Sequence, residues 1–395
     1  MDVFLGEWVN LLLRWAHMIV GIGWIGTSFY FIALDYSLDQ AERKNPGVYG
    51  TAWQVHGGGF YHVEKFTVAP PQLPPHLHWF VWEAYLTWVT GFGLLVVQYY
   101  LHASAYLIDP AVMPLNAWQA TAISVVSLTA GWFVYDGLCR SKVGEHTLLL
   151  AICVFALILL ASVLYTKVFS GRGAFIHVGA LVGTIMAANV FAVIIPNQKK
   201  MIAQMIRGEA PNPKYGDIGK QRSLHNNYLT LPVLLMMVSQ YYPFLFGHPH
   251  SWLVVALILT SGGLVRHVLN RIDAGDTWDS YGWLTPVAAF ALLATIFVTA
   301  PQAPVVTTTG GAVTDIDVLT ISAKHCMMCH AKTPAHESFK EAPKNVTLET
   351  IDDLKRYANL IMAQTVQNRA MPLGNQTGMT DAERAKLGQW IRALR

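Results

Sequence analysis

The chain has 395 residues, of which 53% are hydrophobic and 13% charged, and a formal net charge of +3. A composition this apolar excludes an ordinary soluble protein. The small positive charge follows from an uneven distribution of Lys and Arg between loops, so it supports no nucleic-acid partner.

Hydropathy divides the first part of the chain into eight spans long enough to cross a bilayer, at about residues 8–34, 79–101, 115–138, 146–169, 174–196, 227–246, 251–270 and 281–300. The loops after the odd spans carry Arg43, Lys44, Lys65, Arg140, Lys142, Lys199, Lys200, Arg207, Lys214, Lys220, Arg222, Arg266 and Arg271, whereas those after the even spans carry two basic residues. That asymmetry places the odd loops in the cytoplasm and both termini on the outer side of the membrane. The N-terminus lacks a basic n-region, and Arg14 interrupts the first span without a small-residue cleavage site, so no cleavable signal peptide is expected.

Ionisable groups within spans are costly and usually face a cavity, a cofactor or one another. In span 1, Arg14-Trp-Ala-His17 with Trp24 and Gly26 resembles the first helix of several membrane families in which the histidine ligates haem b. Gly21, Gly23 and Gly26 would let a flat macrocycle or another helix approach. His17 and His177, at similar depth, are candidates to hold that haem; interhelical hydrogen bonding is the plainer alternative. On the inner half lie Glu83, Asp136, Arg140, His225, Arg266 and His267, candidates for a cytoplasmic-side pocket. Between spans 1 and 2, two partly alternating runs flank Gly57-Gly58-Gly59, which predicts a β-hairpin carrying Gln54, His56, His62 and Glu64.

Residues 301–312, with Pro301, Pro304, threonines and glycines, read as a linker that lets the next domain move over the outer surface. Residues 313–395 contain Cys326-Met-Met-Cys329-His330, the attachment pattern of haem c, in which the two thiols form thioethers and the imidazole ligates iron. Zinc would need two more ligands at similar spacing, and Cys139 and Cys153 lie far upstream. Met371, in Asn368-Arg-Ala-Met371-Pro372-Leu-Gly374, fits a sixth ligand on an irregular loop; Met362 falls in a predicted helix from Ile351 to Val366 and Met379 follows a glycine turn. The pattern predicts a small class I-like cytochrome c domain ending in a helix from Asp381 to Leu394, with His325 and His336 exposed. The fold class is therefore all-α: a polytopic eight-helix membrane domain (1–300) followed by that domain. With two cysteines assigned to haem and Cys139 at the cytoplasmic edge, no structural disulfide is expected.

Arg14-Trp-Ala-His17, Gln54-Val-His56-Gly-Gly-Gly, Ala188-Asn189-Val-Phe-Ala-Val-Ile-Ile-Pro196-Asn197-Gln198 and His225-Asn226-Asn227-Tyr228, followed by the C-x-x-C-H domain, together resemble the bacterial membrane-bound, cytochrome-c-linked urate oxidase (urate dehydrogenase) family. The resemblance covers essentially the full length and implies oxidation of urate to 5-hydroxyisourate, with electrons leaving through haem c to a respiratory-chain acceptor. It assigns no catalytic residue within the spans. Urate, a flat anion, calls for a cation, amide hydrogen bonds, an aromatic face and a base. A pocket on the inner side would send electrons across about 30 Å of hydrocarbon, which a haem near His17 and His177 would relay, whereas an outward pocket needs no relay. The rival readings are quinol-to-cytochrome c electron transfer and a membrane permease or sensor with an accessory cytochrome; the latter is weakened by the lack of an obvious internal repeat.

Overall fold

Several helix starts in this chain are written as capping residues, and the structure uses them. In this computed structural model, which describes residues 3–41, 45–248, 250–300, 312–336 and 339–394, Asn116 and Gln119 cap each other's backbone at the start of a long helix. Thr314 with Asp317, Thr350 with Asp353 and Thr380 with Glu383 do the same nearer the C-terminus. Each box satisfies amides that the first turn leaves unbonded, a contribution of about 1 kcal/mol.

The chain opens with α1 (Val3–Tyr36) and an antiparallel hairpin of β1 (Val48–His56) and β2 (Gly59–Phe66). Gly57 and Gly58 both have positive φ, so the glycine run makes the turn, and the register pairs Trp53 with His62. Then come α2 (Trp82–Leu95), prolonged by a π-helical turn to Tyr100, α3 (Ala103–Tyr106), α4 (Ala117–Arg140) and α5 (Thr147–Thr166). A continuous rod of α6 (Gly171–Ala188), a π-helical turn and α7 (Ile195–Ile206) precedes α8 (Pro213–Val238), α9 (Pro243–Phe246), α10 (Ser251–Asp273), α11 (Trp278–Tyr281) and α12 (Leu284–Val298).

Five helices among the described residues are long and apolar enough to cross a membrane: Phe4–Tyr36, Ala117–Arg140, Thr147–Thr166, Gly171–Ile206 and Ser251–Asp273. The other three expected spans map to α2 with its π-helical turn, to the second half of α8, and to the 15-residue α12. The expected loop at 197–226 is instead mostly helix. Its Lys, Gln and Arg residues favour helix about as well as Leu or Met does, so α7 and α8 run past the apolar stretch.

α6 lies innermost, with Leu181, Val182 and Ile185 buried among α4, α5 and α8. Close approach is bought with glycine at two crossings: a Cβ on Gly131 of α4 would overlap Leu181, and one on Gly262 of α10 would lie 2.8 Å from Pro232 Cδ of α8.

The C-terminal unit comprises α13 (Asp315–His325), α14 (Met327–His330), α15 (Ile351–Arg356), α16 (Ala358–Ile361), a π-helical turn to Gln367 and α17 (Asp381–Ala393). It has its own core of Val318, Leu354, Leu387, Trp390 and Ile391. Trp390 Nε1 donates to Asp315 Oδ1 at 2.7 Å and ties the last helix to the first. Apart from Ala312, the expected linker 301–312 lies outside the described residues. The unit rests against the first through residues 368–375: a Cβ on Gly374 (φ +58°) would lie 2.7 Å from the Ser104 carbonyl oxygen, and one on Gly247 would overlap the Asn368 carbonyl.

Candidate functional site

The C-x-x-C-H run straddles the end of α13 and the single turn of α14, where the His330 amide donates to the Cys326 carbonyl at 2.8 Å. His330 Nδ1 lies 2.8 Å from the Val346 carbonyl oxygen. A carbonyl only accepts, so Nδ1 carries the proton and Nε2 keeps its lone pair for a metal. Met371 sits on the loop held by its amide to the Gln364 carbonyl at 3.0 Å and by its carbonyl to Arg384 Nη1 at 2.6 Å. Met379 is buried in the unit's core and Met362 packs at its edge, whereas Met371 is half-buried on irregular backbone. Two thiols, an oriented imidazole and a tied thioether are the donor set that haem c requires. His325, expected to be exposed, is buried and uses both nitrogens, at 2.8 Å from Thr377 Oγ1 and 3.1 Å from Glu383 Oε1. The capped start of α17 puts Glu383 there. His336 is half-buried, with Nε2 3.0 Å from Gln376 Oε1.

The cavity beside His17 is not lined by His177. His17 Nδ1 lies 3.0 Å from both the Thr87 carbonyl and Thr90 Oγ1, and its ring lies against Gly91, where a Cβ would come within 2.9 Å of Cε1. It lines a mainly apolar cavity of about 420 Å³ between α1, α2, α6 and α8, together with Arg14, Trp88, Gln98 and the buried hydroxyl of Tyr99, which is unpartnered among the described residues. His177 is fully buried with Nδ1 2.7 Å from the Gly173 carbonyl and Nε2 2.6 Å from Ser124 Oγ. Both of its nitrogens are taken up by the protein. The two histidines therefore do not fit a shared haem b.

The six inner-half candidates fall into three groups. The Asp136 carboxylate takes Arg140 Nε at 2.6 Å and Arg222 Nη2 at 2.7 Å, while His225 Nδ1 lies 2.7 Å from Tyr135 Oη and Asn189 Nδ2 donates to the same hydroxyl at 3.0 Å. Arg222, counted above as a loop charge, is 1% exposed and lies over the Tyr135 ring. Its spacing from Asn226 and Thr230, one helical face, is the signal that would have found it. On α10, Arg266 lies 4.0 Å over the Phe29 ring with Nε and Nη2 unpartnered among the described residues, and His267 Nδ1 meets Tyr228 Oη at 2.7 Å. Glu83 stands apart beside Gly23 of α1, with Oε2 buried and unpartnered among the described residues.

A second cavity, of about 160 Å³, opens where the two units meet. Tyr106, Asp109, Arg172 and Phe246 form one wall, and Asn368 to Ala370 with Leu373 to Asn375 form the other. The Arg172 guanidinium lies 5.6 Å from the Tyr106 ring centroid and 5.7 Å from that of Phe246, with Nε buried and unpartnered among the described residues. Burial pushes the Asp109 carboxyl above the usual aspartate range, against the Ala111 amide that donates to it at 2.9 Å and the nearby Arg384 charge. None of the six inner-half candidates lines either cavity. Neither Asp109 nor Arg172 stands out in the sequence, because each lies on a short connection between apolar spans.

The family described as "Urate oxidase N-terminal" matches residues 3–300. No curated protein and no solved structure matches the chain.

Proposed function

Because this chain belongs to the urate oxidase N-terminal family, we propose that it is a membrane-bound enzyme that oxidises urate to 5-hydroxyisourate and delivers the electrons to haem c. The match over 3–300 carries the urate assignment, and His330, with Nδ1 held by Val346 and Nε2 left for iron, supports the electron exit. Cys326 and Cys329 would anchor the haem, and His330 and Met371 would be its axial ligands. Bound there, haem c takes up electrons one at a time and passes them to a respiratory-chain acceptor.

Five apolar helices of spanning length, with the excess of Lys and Arg in the loops after odd spans, support an eight-span protein with both termini outside. On that topology, the C-terminal unit stands on the outer side.

Quinol oxidation with electron delivery to haem c is a second reading, favoured by the mainly apolar cavity beside His17. Anaerobic difference spectra of the purified protein separate the two. Urate should reduce the c-type haem, with pyridine haemochrome analysis giving c-type haem alone. Reduction by a quinol and not by urate would overturn the urate reading.

A further inference from the structure

We propose that urate is oxidised in the cleft between the two units, with Arg172 holding the purine anion and Asp109 receiving its ring proton. This deepens the urate reading above and rests on it. At about 160 Å³ the cleft is smaller than the roughly 300–1,000 Å³ of drug-sized pockets, which suits a single bicyclic purine.

The walls supply what a flat anion requires. Arg172 lies over Tyr106 and Phe246, so those rings limit how its guanidinium can turn. Its Nε is buried and unpartnered among the described residues, a donor whose desolvation only an incoming acceptor offsets. Asp109 is the carboxylate of the cleft, and burial makes it a stronger base than an exposed aspartate.

Position argues the same way. The opposite wall, Asn368 to Ala370 and Leu373 to Asn375, brackets Met371, so a purine in the cleft lies against the loop that carries the proposed iron ligand. Arg266 and Glu83 belong to the expected inner layer, and a purine bound there would have to send electrons across roughly 30 Å of hydrocarbon. From the cleft no crossing is needed. The tight contacts at Gly374 and Gly247 hold the walls together.

The reaction balances without oxygen. The urate anion and one water give 5-hydroxyisourate, two electrons and one proton: an N–H bond of the purine breaks toward the Asp109 carboxylate as the two electrons leave, and the water oxygen then bonds to C5 while one water O–H bond breaks and its proton passes to a ring nitrogen. The two electrons would leave singly to the haem c that Cys326, Cys329, His330 and Met371 would hold, which is the oxidant the reaction needs.

Calorimetric titration of urate into the holoprotein with its haem already reduced measures binding without turnover, and anaerobic stopped-flow measures haem reduction. Arg172→Ala should weaken binding at least about 30-fold, with Arg172→Lys recovering part of it. Asp109→Asn should bind urate within about threefold of the unmodified protein yet reduce haem on the order of a hundredfold more slowly. Unmodified binding and rates in both variants, or binding lost only in Arg266→Met, would overturn the cleft. A protein that binds urate through Arg172 but is never reduced by it would leave the cleft standing and remove the oxidation reading.

Discussion

Arg384 donates to the carbonyl of Met371 at 2.6 Å, and the same nitrogen donates to the carbonyl of Thr365 at 2.5 Å. One buried guanidinium thus ties the methionine loop to the π-helical turn before it, and its second nitrogen reaches Asn375 at 3.3 Å. Arg384→Met leaves two carbonyls without a charged donor and should cost about 3 kcal/mol of unfolding free energy. Thermal melts of the holoprotein would register this, and the loosened loop should also weaken methionine ligation in the visible spectrum. An unchanged melting temperature would mean that the loop holds itself.

Met371→Ala tests the ligand itself. The expected outcome is loss of low-spin methionine coordination with covalent haem c retained, since Cys326, Cys329 and His330 are untouched. Met362→Leu and Met379→Leu should keep the spectrum, because Met379 packs in the unit's core and Met362 against it, and Leu nearly conserves their volume. A normal spectrum in Met371→Ala would move the sixth ligand elsewhere.

Asp136 and Arg222 form a buried ion pair inside the apolar unit. Asp136→Ala strands the Arg222 charge and should destabilise the protein in detergent by about 3–5 kcal/mol, whereas Arg222→Met combined with Asp136→Leu should recover most of that loss. Arg140, whose side chain is 66% exposed, should matter little: Arg140→Ala is expected to cost about 0.5 kcal/mol. Detergent melting curves of the three variants distinguish a structural pair from a catalytic one. If Asp136→Ala melts normally but fails to reduce haem, the pair belongs to the chemistry.

Features encoded over a few residues were legible before any coordinates. The glycine run makes the turn between Val48 and Phe66, and α17 starts at Asp381, as expected. Features that join distant segments were not. Arg222 reads as a loop charge because hydropathy ends a helix where its apolar residues end, yet α8 begins at Pro213 and carries Arg222 inward to Asp136. His325 reads as exposed until α17 brings Glu383 to its ring. Asp109 and Arg172 lie 63 positions apart and share a cleft only because residues 368–375 close over both. No periodicity records that kind of meeting.

Gly247 offers a test of docking that leaves the haem attachment untouched. A Cβ there would overlap the Asn368 carbonyl, so Gly247→Ala should push the methionine loop away from α9. Urate-driven haem reduction is then expected to slow on the order of tenfold, about 1.4 kcal/mol in the barrier, with an unaltered oxidised spectrum. Equal rates would mean that the contact is incidental to electron delivery.

The pH dependence isolates Asp109. As a base it works when deprotonated, and burial raises its pKa while the Ala111 amide and Arg384 act against that rise. Arg172 and Arg369 also line the cleft, and Arg369 is paired with Asp381 at 2.9 Å. The rate of haem reduction at saturating urate should therefore climb with pH through a value above the usual aspartate range. Asp109→Asn should lack that limb; because urate's own ionisation is common to both proteins, the difference between the two profiles belongs to Asp109. Stability should run the other way. Between the unfolded and folded pKa values the native state binds more protons than the unfolded one, so this group's contribution falls as pH rises. Asp109→Asn should consequently melt at or above the temperature of the unmodified protein at neutral pH while reducing haem more slowly. A variant that melts lower and retains the pH limb would show that Asp109 stabilises the fold and takes no part in the proton transfer.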